Sequence, residues 1–392
     1  MMVTKKMYPM TGAQAIAEAM RQINPDVVAA YPITPQTPII ENFAKFVADG
    51  RVDTEYIRVE SEHSAMSATV GAAAAGGRAM TATASAGLAL MWEIVYVAAS
   101  MRLPIIMPIA NRALSGPINI HCDHSDTMGT RDSGWIQIYS ETAQEAYENM
   151  FLALKLAENK NVQLPAMVCL DGFITSHGVE NVEIYDDKTM KDFAGEYKPI
   201  DPLLDVDNPI TYGPLQLQDY YFETKRQQVD AMKNAKKVFL EAGKELSKIT
   251  GNDYGYFEKY MMDDAEAVIV VMNSTAGNVK SVVDEMRKDG KKVGLLKLRL
   301  FRPFPYEEVA EALHKIPVVG VFDRAESFGA CPPLYGEIRN ALFDSEKKPK
   351  MQSFVFGLGG RDIFSHQIEN VFETLLEGET SGETKYIGCR GC

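Results

Sequence analysis

Apolar runs alternate with amphipathic helical patterns through the first 180 or so residues, which predicts a parallel β-sheet with crossover helices. Strands are predicted at 27–31, 79–84, 104–110 and 166–170, and helices at 15–23, 62–75, 88–100 and 143–159. Thr11-Gly12-Ala13-Gln14 reads as a capping box opening the first of these helices. The stretch 180–213 is rich in Asp and Pro with little periodicity and reads as a surface excursion. A long helical pattern over 222–249 then stops at Thr250-Gly251. A second α/β unit follows, with strands at 267–272, 293–298 and 318–322, a loop at 273–277 and a helix at 278–288. From 376 onward the composition is that of a polar tail. The fold class is therefore α/β, with two parallel-sheet units in tandem.

One turn departs from ordinary loop composition. Tyr31-Pro32-Ile33-Thr34-Pro35-Gln36-Thr37-Pro38 places three prolines directly after a predicted strand. Each proline fixes φ and biases the residue before it to extended geometry. The chain is thus stiff at the edge where open α/β sheets bind ligands, and Thr34 and Thr37 are the hydroxyls it presents.

Composition narrows the function classes. The 392 residues are 46% hydrophobic and 24% charged, as in ordinary globular chains. A net charge of −13 argues against nucleic acid and anionic membranes as main partners. No signal peptide opens the chain, and its longest apolar tracts are too rich in Ala and Gly for a membrane span. Cys122, Cys169 and Cys331 are isolated, so the five cysteines do not form a disulfide framework and a reducing, cytoplasmic setting is expected.

Glu60-Ser61-Glu62 stands where a strand gives way to a helix, and capping accounts for one of its two carboxylates. The helix behind is nearly all Ala, Gly, Ser and Thr, which lets another chain or a cofactor approach its backbone. A carboxyl lodged there would be desolvated and able to share a proton with a ligand. The loop 111–132 gathers Arg112, His121, Asp123, His124, Asp126, Arg131 and Asp132. His121, Asp123, His124 and Asp126 match no helix-borne zinc motif, and no metal site is assigned. Arg112 suits a small organic carboxylate, which it can bind through two parallel hydrogen bonds. Ser85-Ala86-Gly87 and the 273–277 loop each lie between a strand and a helix, where backbone amides can be lent to a ligand. Cys389-Arg390-Gly391-Cys392 reads as half a metal site, a redox pair or an incidental pair. There is no Rossmann, Walker or serine-hydrolase signature.

Taken in order, Tyr31-Pro32-Ile33-Thr34-Pro35, Glu60-Ser61-Glu62, Thr81-Ala82-Thr83-Ala84-Ser85-Ala86-Gly87-Leu88 and Asn111-Arg112-Ala113-Leu114-Ser115 resemble a known family. Asp123-His124-Ser125-Asp126, Arg131-Asp132-Ser133-Gly134-Trp135, Asp171-Gly172-Phe173 and Arg299-Leu300-Phe301-Arg302-Pro303-Phe304 extend the match. The resemblance is to the alpha subunits of pyruvate:ferredoxin oxidoreductase, within the 2-oxoacid:ferredoxin oxidoreductases. It implies a thiamine diphosphate pyrimidine-binding domain over 1–251, a transketolase C-terminal-like domain over 252–375 and a tail over 376–392. It implies oxidative decarboxylation of pyruvate with CoA to acetyl-CoA and CO2, with ferredoxin reduced. Glu62 falls on the cofactor-activating glutamate, whose carboxyl on the aminopyrimidine ring nitrogen favours the tautomer that takes up the thiazolium proton. Thr34 and Arg112 fall on substrate-contact positions, with Pro32 in the rigid loop beneath; Ser85 and Gly87, on the turn that can lend amides, are expected at the cofactor.

Two absences bear on the resemblance. The Gly-Asp-Gly that holds diphosphate and metal in thiamine enzymes does not occur, and neither does the cysteine run of a cluster-binding domain. The chain therefore resembles a split form of the enzyme. A beta subunit would bring diphosphate, Mg2+ and a [4Fe-4S] cluster, and gamma and delta subunits the remaining clusters and domain. Two alternatives stand beside this reading: the branched-chain 2-oxoisovalerate alpha subunit, and a non-catalytic assembly subunit of the same fold. A free-standing electron-transfer or metal protein built on the terminal cysteines is a third.

Overall fold

A computed structural model describes residues 4–391. Its larger sheet has seven strands in the order Leu300–Arg302, Ile136–Ser140, Ala166–Asp171, Ile106–Asn111, Ala79–Met80, Val27–Ala30, Glu55–Arg58. All neighbours are parallel except Leu300–Arg302, which runs antiparallel to Ile136–Ser140. The strands Ile106–Asn111, Ile136–Ser140 and Ala166–Asp171 are buried throughout, because helices cover both faces of a parallel sheet.

A six-stranded sheet follows in the order Lys385–Tyr386, Lys350–Val355, Val318–Asp323, Ala267–Met272, Val293–Leu298, Phe257–Tyr260. Only Phe257–Tyr260 is antiparallel to its neighbour. A separate antiparallel ribbon pairs Lys5–Thr11 with Val179–Tyr185. One apolar core joins the two large sheets and takes in Met107, Tyr139 and Phe301 from the first and Val268 and Leu296 from the second.

The predicted capping box is present: Thr11 accepts from the Gln14 amide, and the Gln14 side chain accepts from the Thr11 amide. The long helix runs Tyr221–Thr250 and ends on Gly251 in the left-handed region, where a side chain would be strained. Its buried stripe, Ala231, Ala235, Phe239 and Leu246, packs on the first sheet's core.

Four expectations are corrected. The predicted strand 79–84 pairs only over Ala79–Met80. Beyond it a single bridge remains, in which Thr83 N–H donates to Pro108 O at 3.3 Å and Ala110 N–H to Thr83 O at 3.2 Å. The predicted helix 88–100 is two helices, Ser85–Leu90 and Trp92–Ser100, that meet at Met91. The 180–213 excursion begins with a strand and the helix Asp187–Ala194, capped by Asp186. Acidic residues on the ribbon's outer face hid that alternation, and only the part after Gly195 is irregular. The tail is not free: Lys385–Tyr386 adds to the second sheet, and the buried Gln352 side chain donates to Glu383 O and accepts from the Ser381 amide, both at 2.7 Å.

Candidate functional site

In the larger sheet, the chain passes from Val27–Ala30 outward to Glu55–Arg58, then returns to the other side of Val27–Ala30 as Ala79–Met80. That reversal opens a crevice at the carboxyl ends of the strands, the usual ligand position in open α/β sheets. The loops leaving it are the proline loop and the Ser85–Gly87 turn.

Glu62 is the first residue of the helix Glu62–Ala74. Capping is done by its neighbour: Ser61 Oγ accepts from the Ser64 amide at 3.2 Å, and Glu60 braces the Ser64 hydroxyl at 2.6 Å. The Glu62 side chain is left with no hydrogen-bond or ionic partner among the described residues, although the residue is only 7% exposed. Its carboxylate oxygens, unlike the Thr83 hydroxyl, are not fully enclosed, so the stem is buried and the acid group reaches the crevice. It faces Gly87, where an added Cβ would lie 2.8 Å from Glu62 Oε1 and closer still to Thr83 Oγ1. The Thr83 hydroxyl is itself buried and unpartnered. Gly87 has no room for a side chain because the Thr83 hydroxyl and the Glu62 carboxylate occupy that space.

The proline loop is fixed by Gln36, a role that its position in the sequence did not reveal. Its buried amide donates to Ala82 O at 3.0 Å and accepts from the Ile33 amide at 3.2 Å, which ties the loop to the strand end beside it. Pro32 and Thr34 are exposed on this loop. Arg112, 6% exposed, follows the strand Ile106–Asn111 and reaches across to the same loop. It donates from Nη1 to Thr34 O at 2.9 Å and from Nε to Asn119 O at 2.8 Å. Nη2 has no acceptor among the described residues.

Asp126 connects these parts. Its Oδ2 accepts from the amides of Ser85 and Arg112, both at 3.0 Å, while Oδ1 accepts from Asn111 Nδ2 at 2.9 Å. Burial pushes its carboxyl up to about 6, against the pull of those donors. The Ser85 hydroxyl donates to Ala113 O at 2.5 Å, and the Gly87 amide to Ala84 O at 2.9 Å. The expectation that this turn lends the Ser85 and Gly87 amides to a ligand is therefore corrected: both are bonded inside the chain, and Gly87 contributes clearance instead.

The four residues read as a possible metal cluster do not converge. His121 stacks on Phe173 at 5.0 Å, Asp123 accepts from Ser125, and Asp126 serves the two loops just described. His124 turns to Asp171, with 2.8 Å from Nε2 to Oδ1. Asp171 also accepts from Asn273 Nδ2 at 2.9 Å, Arg324 Nη1 at 3.1 Å, Cys122 Sγ at 3.2 Å and the Ser274 hydroxyl. Burial would raise its carboxyl, but Arg324 and His124 more than offset that and hold it well below the usual carboxylate range. Cys122, His124 and Asp171 do bring ligand atoms within 4.8 Å of one another, with the Arg324 guanidinium already in place as counter-charge. The 273–277 loop is committed here too: Asn273 bonds Asp171, and the helix Thr275–Lys288 begins inside it. This cluster locks the second sheet to the 111–132 loop.

Cys122, Cys169 and Cys331 are free thiols. Cys389 is disulfide-bonded, and Cys392 lies outside the described residues. A cavity of about 670 Å³ lies elsewhere, between the N-terminal ribbon and the helices Gly12–Ile23 and Thr37–Ala48, and none of the predicted site residues lines it. Among the described residues no helix is long and apolar enough to cross a membrane.

Comparison with known proteins supports the same reading. Residues 18–244 match the family model for the thiamine diP-binding region of pyruvate flavodoxin/ferredoxin oxidoreductase, and residues 265–368 that for pyruvate:ferredoxin oxidoreductase core domain II. The chain is 61% identical to pyruvate synthase subunit PorA of Thermotoga maritima, over 97% of each chain. It is 48% identical to PorA of Methanocaldococcus jannaschii, again over 97% of each. Ketoisovalerate oxidoreductase subunit VorA of Pyrococcus abyssi is 42% identical over 95% of this chain and 94% of its own. The fold resembles a 2-oxoglutarate:ferredoxin oxidoreductase from Magnetococcus marinus, with a TM-score of 0.70 at 19% identity over 95% of this chain and 65% of that one. The partnerless Glu62 carboxylate, seated against Gly87 beside the unpartnered Thr83 hydroxyl, fits the aminopyrimidine of thiamine diphosphate, a ring that needs a carboxyl at one of its nitrogens. The chain belongs to the pyruvate:ferredoxin oxidoreductase family, as a relative of the PorA subunits.

Proposed function

We propose that this chain is the alpha subunit of a cytoplasmic pyruvate synthase, which converts pyruvate and CoA reversibly to acetyl-CoA and CO2 and passes two electrons to ferredoxin. The observation that carries the reading is Glu62, a buried residue whose carboxylate has no partner among the described residues and lies against Gly87 in the crevice. It is half of a site whose other half is on another polypeptide. Residues 1–251 form the pyrimidine-binding part and 252–375 the transketolase C-terminal-like part. The strand Leu300–Arg302 is a return of the second part into the first part's sheet.

Thiamine diphosphate, when bound, supplies the electron sink that lets a 2-oxoacid lose CO2. Glu62 meets the aminopyrimidine ring at a nitrogen and holds or moves a proton there. Arg112 keeps its orientation through Thr34 O and Asn119 O and offers its remaining N–H donors to the substrate carboxylate. The Thr34 hydroxyl stands at the same edge, and Pro32 stiffens the loop that carries it. Ser85 and Gly87 line the cofactor side. Diphosphate, Mg2+ and a [4Fe-4S] cluster belong to a beta subunit, with gamma and delta subunits bringing the remaining clusters and domain.

The pyruvate relatives at 61% and 48% identity favour pyruvate over the branched-chain acid of the 42% relative. The test is reduction of a low-potential acceptor by the co-purified complex with pyruvate, 2-oxoisovalerate or 2-oxoglutarate, each with and without CoA. Pyruvate with CoA is expected to be fastest. Preference for 2-oxoisovalerate would move the chain to the branched-chain branch, and full activity of the isolated chain would refute the half-site.

A further inference from the structure

Thr83 is fully buried, and its hydroxyl makes no hydrogen bond. Its backbone is held on both sides, by Pro108 O and the Ala110 amide, so the direction of its side chain is fixed. That direction is toward the Cα of Gly87, where its Oγ1 and the Glu62 carboxylate crowd the same small volume. No hydrogen bond joins the two, and neither has a competing partner among the described residues. Valine would fill the same space without a buried hydroxyl, so packing alone gives no reason for threonine. Thr81 is likewise buried with an unpartnered hydroxyl, but Thr83 is the one set against Gly87 beside the Glu62 carboxylate.

We propose that Thr83 is a positioning residue for Glu62: its hydroxyl donates to one carboxylate oxygen when a ligand ring takes up the other. The inference rests on the role proposed above for Glu62. A rotation within the Glu62 side chain closes the contact, because both groups already lie against Gly87. The donated bond fixes which oxygen faces the ring and favours the ionised carboxylate until the proton is shared. A carboxylate held by one donor and one ligand atom cannot swing away between turnovers.

The test compares Thr83→Val and Thr83→Ser with the parent in the intact complex, by thermal unfolding without added thiamine diphosphate and by steady-state kinetics. Removing an unpaired buried hydroxyl leaves the unfolding temperature of Thr83→Val unchanged or raised. The same variant loses about ten- to a hundredfold in kcat, the scale of one hydrogen bond to a charged group, with KM for pyruvate within about twofold. Thr83→Ser, which keeps the hydroxyl, retains kcat within about threefold. A Thr83→Val enzyme with parental kcat overturns the inference, and if Glu62→Gln is inactive in the same assay the reading of Glu62 stands. A lower unfolding temperature with no rescue by serine also overturns it, because the hydroxyl would then be structural.

Discussion

Arg112 donates to the main-chain carbonyl of Thr34, 2.9 Å across the crevice, so the two residues expected at the substrate are held as one unit. The arginine is thereby oriented before any acid arrives, with its Nη2 edge still free. Arg112→Lys keeps the charge and loses both the planar fork and one of the two anchoring bonds. The variant is expected to raise KM for pyruvate at least tenfold, with a smaller fall in kcat. Unchanged KM in steady-state assays would remove Arg112 from substrate binding.

Gly87→Ala tests the clearance at the carboxylate. The new methyl would meet Thr83 Oγ1 first and lie 2.8 Å from Glu62 Oε1, so both side chains must shift to admit it. Activity is expected to fall by about two orders of magnitude, with a stability loss of about 1–3 kcal/mol, the usual scale of overpacking. Activity and thermal unfolding of the same preparation separate the two effects. Full activity would mean that the Glu62 position described here is not the working one.

Where the two sheets meet, Lys297 lies 2.6 Å from Glu145 and 2.7 Å from Glu141, and Arg299 lies 3.1 Å from Glu145. Burial alone would raise the Glu145 carboxyl, but Arg299 and Lys297 more than offset it and bring it down to about 2. A carboxyl lowered in the folded state contributes stability above its unfolded value near 4.5, and loses it as pH falls toward 2. The shift corresponds to about 3 kcal/mol. Glu145→Gln is expected to unfold at lower temperature at pH 7, and to lose less than the parent between pH 5 and pH 3. Parallel melting curves for the two proteins across that range would refute the assignment.

Much of the fold was legible because buried parallel strands read as continuous apolar runs, and Ala267–Met272 and Val293–Leu298 fall at their expected bounds. Leu300–Arg302 was not legible, since three residues carry no periodicity and their sheet is formed by chain more than 100 residues away. The Val179–Tyr185 strand was hidden for a related reason: its partner is the N-terminal strand, a distant segment with little apolar pattern of its own. At the site, Glu62, Thr34, Arg112 and Gly87 were named from their positions, and the structure places them around one crevice or on the loops that border it. The residues that hold them were not named in those roles. Gln36, Asp126 and Asp171 act through contacts with partners 41 to 153 positions distant, and Thr83 lies against the Cα of Gly87; local pattern does not encode such contacts.

The central claim is that Glu62 is the proton-handling carboxyl of a site completed by another subunit. Glu62→Gln keeps the size of the side chain and the helix start at Ser61 while removing the acid. The most direct measurement is pyruvate- and CoA-dependent reduction of a low-potential acceptor by the complex reconstituted with this variant. A loss of at least about two orders of magnitude in kcat, with the complex still assembled and melting at or above the parental temperature, is the predicted result. Parental kcat from the assembled variant would contradict it.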